Sequence, residues 1–219
     1  MKNVPFIATS LIISFSLALS AQAEKDAYYL AMQEALDRYS NVNSLDDYQE
    51  ITNTFERISQ MEKEEWLPRY YSALTYVYMS FENGLENKER DNYLAIAEGF
   101  AGQAEELSEN NVEIVILEGY IKMAKLNVNP AIRGMTMTPK VTGLFERARK
   151  MAPENPRAIM MLARMKYGTA QFFKSSIEES CALAEKSLEL YEKETDRGIE
   201  PSWGKEIAEN LMSACSRGK

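Results

Sequence analysis

Residues 141–167, VTGLFERARKMAPENPRAIMMLARMKY, decide the fold. Val141, Phe145 and Ala148 recur at helical spacing, and Pro153 ends the run. Asn155-Pro156 then opens a second helix, with a side-chain cap followed by a first-turn proline. In its middle stand Leu162 and Ala163, a large and then a small residue. A slim residue lets a neighbouring helix approach, and the large one fills the space beside it. This is what stacked helical hairpins require.

Working outward, a second copy of the pattern lies upstream: Ala97, Ala101 and Ala104, then Gly119. Ala104 to Ala148 and Gly119 to Ala163 are each 44 residues apart. Here the chain resembles the tetratricopeptide repeat family, whose unit is a helix pair of about 34 residues. The upstream match is looser: Glu109 replaces the terminating proline, and Glu118 stands where a large apolar residue is expected. The excess of roughly ten residues per repeat falls between the helices of a pair, around Phe81–Asp91, Asn127–Lys140 and Tyr167–Ser176.

Nine helices are expected, with no strand-like alternation. They run over about 25–39, 45–61 and 67–82, then 91–107 and 112–126. A sixth is capped by Thr138 and ends before Pro153, and a seventh starts at Pro156. The last two cover 175–194 and, capped by Ser202, the stretch to Cys215. The expected fold is an all-α, TPR-like α-solenoid of about four antiparallel hairpins plus a C-terminal capping helix. It forms one domain over 24–219.

Residues 1–23 read as an export signal rather than part of the fold. Lys2 precedes an apolar run, Leu11–Leu19, and Ala21-Gln22-Ala23 supplies the small residues of a cleavage site after Ala23. The run is short for a membrane span. Without Lys2 the formal charge of −8 becomes −9. With no basic patch, nucleic acid is not an expected partner. Together with the long central insert and the Pro-Trp-Gly region around 201–204, the signal gives a resemblance to exported, periplasmic TPR proteins of Gram-negative bacteria.

The sequence contains no histidine, which removes the commonest general base and metal ligand. No phosphate-binding glycine loop or nucleophile elbow occurs. Neither an enzyme nor a cofactor nor a metal site is expected. Cys181 and Cys215 come level if the last two helices pack antiparallel. An exported chain permits a bridge between them, while two small buried thiols account for them equally well.

The expected function is therefore binding of a protein or peptide, as an adaptor or assembly factor. The resemblance implies a concave face lined by the first helix of each pair. Carried over by position, it presents Tyr70 and Tyr78, then Tyr120 and Met123, then Arg157, Met160, Arg164 and Tyr167. Such types suit partner binding, although aromatic and Met residues at helical spacing also build cores. A second candidate surface is the insert edge, where Arg133, Met135 and Met137 would grip a partner. The rival is a glycan or small-ligand binding protein using exposed aromatics such as Trp66 or Trp203. No feature of the sequence bears on the oligomeric state.

Overall fold

A computed structural model describes residues 24–217, so the expected export signal lies outside the described residues. The described chain is all-helical: α1 (24–39), α2 (Leu45–Met61), α3 (Leu67–Met79), α4 (Asn87–Leu107), α5 (Val112–Val128), α6 (Pro130–Met151), α7 (Pro156–Phe173), α8 (Glu178–Tyr191) and α9 (Lys205–Arg217). From α2 onward each helix packs on the next. In addition α3 packs on α5, α5 on α7 and α7 on α9. Alternate helices thus form an inner layer, α3-α5-α7-α9, and their partners an outer one, which is the solenoid expected from the sequence.

The helix starts follow from the local sequence. Asn111 and Asn155, 44 residues apart, cap α5 and α7 by accepting the backbone N–H of Glu113 and Arg157 at 2.9 Å each. Pro156 then occupies the first turn, where its missing N–H costs nothing. The small residues do what their spacing requires. Ala104, Ala148 and Ala163 are fully buried. At Gly119 even a Cβ would come within 2.3 Å of the buried Phe145 ring, so α5 and α6 meet more closely than any larger residue allows.

The insert regions differ from expectation. Asn127–Lys140 is not a loop: α6 begins at Pro130, capped by Asn129, and continues through Pro139 without interruption. Two Xaa-Pro helix starts compete here, Asn129-Pro130 and Thr138-Pro139, and the first prevails. Pro139 forgoes its bond to the Met135 carbonyl. That stretch is exposed, with Met135 at 91 %, so water can satisfy the freed group. Likewise α4 starts at Asn87 behind a Glu86/Glu89 capping box, and α7 runs on to Phe173 before Lys174 turns left-handed. The extra residues lengthen helices rather than loops. At the other end α9 begins at Lys205, three residues after Ser202, which is not its cap.

Candidate functional site

The inner face is closed by the chain itself. Residues 192–204, between α8 and α9, run as a strap across α3, α5 and α7. Tyr71 donates its hydroxyl to the Ile199 carbonyl (3.1 Å), and Trp203 donates its indole N–H to Tyr70 Oη (2.7 Å). Trp203 also stacks on Tyr120, with ring centroids 5.5 Å apart. At the end of the strap nearest α8, Arg157 is fully buried between two carboxylates. It donates to Glu113 (3.0 Å from both Nε and Nη2) and to Glu194 (2.8 and 3.1 Å). Arg197 adds a second cation to the same pair of carboxylates. Burial works against the Arg157 charge, but its bonds to Glu194 and Glu113 more than compensate and hold the guanidinium ionised.

This packing corrects the expected concave surface. Tyr70, Tyr120, Met123, Arg157 and Met160 are buried and form no open concave groove, whereas Tyr78, Arg164 and Tyr167 keep part of their surface. Burial pushes the phenols of Tyr70 and Tyr78 well above their ordinary range, so both stay neutral. Trp203 is half-buried under Tyr120, and Trp66 packs edge-on to Tyr70 at 5.6 Å; neither belongs to a solvent-facing aromatic cluster. Cys181 on α8 and Cys215 on α9 form a disulfide, which ties the capping helix beyond the strap to the last hairpin.

The insert residues divide. Arg133 is committed: its guanidinium binds Asp91 of α4 through two bonds of 2.6 Å and also donates to the Lys125 carbonyl at 2.8 Å. It braces the extension of α6 instead of facing a partner. Met137 packs partly on the core. Met135 is exposed and looks into a cleft.

That cleft is the candidate site. Its volume is about 630 Å³, within the usual range for small-molecule sites. The end of α5 supplies Met123 and Leu126. The extension of α6 supplies Ala131, Gly134 and Met135. The late turns of α7 supply Arg164, Met165, Tyr167, Gly168, Phe172 and Phe173. Its walls are therefore largely the residues in excess of a 34-residue repeat. Phe172 and Phe173 remain 64 % and 70 % exposed at its edge, an arrangement that favours a ligand over water. Gly134 and Gly168 keep it open, since a Cβ at either meets nothing within 4 Å. The sequence reading missed Met165, Phe172 and Phe173. The two phenylalanines carried a signal, an aromatic pair inside the third insert; Met165, ahead of that insert, carried none.

Among the described residues no three His, Cys, Asp or Glu side chains are placed to hold a metal ion, and no helix is long and apolar enough to cross a membrane. Fold and cleft together define a class: a solenoid-like helical protein with a small-molecule-sized apolar cleft at one edge. No family model and no curated protein matches the chain. Among solved structures it is similar to the HusA haemophore from Porphyromonas gingivalis, at 26 % identity and a TM-score of 0.77, over 88 % of this chain and 94 % of that one.

Proposed function

We propose that this chain is an exported, non-catalytic binding protein that holds a flat, largely apolar small molecule of the haem class between α5, α6 and α7. The observation that carries this reading is the cleft, apolar and bordered by exposed Phe172, Phe173 and Met135. Its likeness to a protein named a haemophore supports the ligand class. With no histidine in the sequence, affinity would come from burial of the macrocycle rather than from imidazole ligation; Met123, Met135, Met165 and Tyr167 are the side chains in the lining with a sulfur or phenol oxygen, and Met135 is the exposed one among the methionines. Export is supported by the Cys181–Cys215 disulfide, which persists in oxidising compartments, and by the leader-like first 23 residues. Kinship with tetratricopeptide repeats remains part of the proposal and rests on the 44-residue register and the alternating layers.

This reading moves the ligand from the concave face to the insert edge. A peptide lying in the concave groove, the function expected from the sequence, would have to displace the strap and its bonds to Tyr70, Tyr71 and Arg157. The small-ligand rival is retained without its tryptophans.

The test is a haemin titration followed by absorbance, on the wild type and on Gly168→Phe. Gly168 is helical and faces open space, so the ring enters the cleft without disturbing the backbone. Saturable binding that falls at least tenfold in Gly168→Phe, with an unchanged circular dichroism spectrum, is expected. Equal affinity in the two proteins would remove the cleft from the site.

A further inference from the structure

Arg164 is the charged side chain among the residues that line the cleft. No carboxylate among the described residues lies within ion-pair distance of it, whereas Arg133 on α6, Arg157 earlier on α7 and Arg197 in the strap are each paired with at least one. Arg164 is held in another way. Its guanidinium lies over the Tyr120 ring, 5.5 Å from the centroid, and Nη1 reaches the Tyr120 hydroxyl at a weak 3.4 Å. Tyr120 in turn is fixed by Trp203 of the strap. Stacking sets the guanidinium plane while engaging few of its five N–H donors. A half-buried cation with donors to spare and no counter-ion regains only part of its lost solvation from one ring face and one weak hydrogen bond.

The position of this arginine is also informative. Tyr120 and Arg164 are 44 residues apart and occupy the same register in successive inner helices. The solenoid therefore presents an aromatic face and, one repeat later, a cation at the same level. The chain as a whole carries an excess of acid, with a formal charge of −8. A general positive field that would draw in an anion is absent, so recognition of one depends on a local group.

We infer that Arg164 is the anion anchor of the cleft: the ligand carries an ionised carboxylate, or an equivalent acidic group, at the rim of an apolar frame, and Arg164 sets its orientation. This rests on the proposal that the cleft binds a haem-class molecule. It adds that the acidic edge of the ligand points inward toward α7 and the macrocycle lies against Met135, Phe172 and Phe173. A charge-assisted, forked contact of this kind is worth about ten- to a hundredfold in affinity.

The experiment compares haemin with haemin dimethyl ester, which has the same iron and ring but lacks the two negative charges. Both are titrated into the wild type, Arg164→Gln and Arg164→Lys, with thermal melts to verify folding. The wild type is expected to bind the diacid about ten- to a hundredfold more tightly than the ester. Arg164→Gln loses that preference by weakening the diacid alone, and Arg164→Lys recovers part of it. Equal binding of acid and ester by the wild type, or an equal loss of both in Arg164→Gln, overturns the anchor while leaving the cleft reading intact. If the wild type binds neither, the haem reading fails. A naphthalene sulfonate dye, an apolar anion of unrelated shape, then tests Arg164 by itself: undiminished dye binding in Arg164→Gln overturns the anchor, and a loss of about tenfold or more sustains it.

Discussion

Gly119 and Gly168 are both glycines inside helices, yet the structure assigns them opposite tolerances. Alanine at a helical glycine gains about 1 kcal/mol of propensity. At Gly168 nothing opposes that gain. At Gly119 the new methyl would meet Phe145 Cε1 at 2.3 Å, and Phe145 is fully buried with no room to retreat. Overpacking of this kind costs about 1–3 kcal/mol and prevails. Gly119→Ala is therefore expected to lower the urea midpoint at constant slope, and Gly168→Ala to raise it slightly; a rise in both would show that α5 and α6 are less tightly apposed than the geometry requires. Gly119 was legible in the sequence because a repeat register exposes a small residue wherever backbones must meet. Arg157 was not. In sequence it is one arginine among many, and its burial depends on Glu113 from an earlier repeat and Glu194 from the strap. Local pattern carries no record of such pairings.

Among the elements, α6 shows both the reach and the limit of reading caps and prolines. The register points to the excess residues, but Thr138-Pro139 carries the same start signal as Asn155-Pro156, so the sequence suggests a loop and then a helix where α6 is continuous. What settles the matter lies outside α6: the clamp from Arg133 to Asp91 docks the extension on α4. The Arg133 hydrogen bonds hold the Asp91 carboxyl below the usual carboxylate range, with partial burial opposing. The folded chain thus takes up this proton at lower pH than the unfolded chain does. The contribution is complete above the unfolded value of about 3.9 and disappears as pH falls through the folded one. About a third of the Asp91 side chain is exposed, so solvent screening keeps the effect modest. Urea midpoints measured from about pH 6 to about pH 2.5 should fall more steeply for the wild type than for Asp91→Asn. Parallel curves would mean that the clamp does not hold in solution. The walls of the cleft were legible only as surplus length. Their apolar character becomes functional when α6 and α7 extend past their neighbours and leave Met135 and Phe173 facing each other's side of a gap.

At the level of the molecule, the all-helical stack was read from spacing alone, whereas the strap was invisible. Nothing in the sequence around Gly198 and Pro201 names Tyr70 and Tyr71, well over a hundred residues earlier, as contacts of that segment. The disulfide secures the helix that follows the strap. Its two cysteines are 34 residues apart, and a loop of that size is worth about 3–4 kcal/mol in the chain-entropy account. Reduction, or Cys181→Ala with Cys215→Ala, should lower stability by about that amount in urea unfolding under otherwise equal conditions. A change below about 1 kcal/mol would place the anchoring of α9 in its packing instead. The strap has a kinetic corollary. Arrays of repeats ordinarily fold from any point and fray from either end. Here the final quarter of the polypeptide clamps the first third, through bonds spanning 128 and 133 residues. Until residue 203 is free to close on Tyr70, the aromatic interior of α3 and α5 stays uncovered, so the nascent chain is expected to need protection until its last segment arrives, and the folded molecule is expected to melt as a single block.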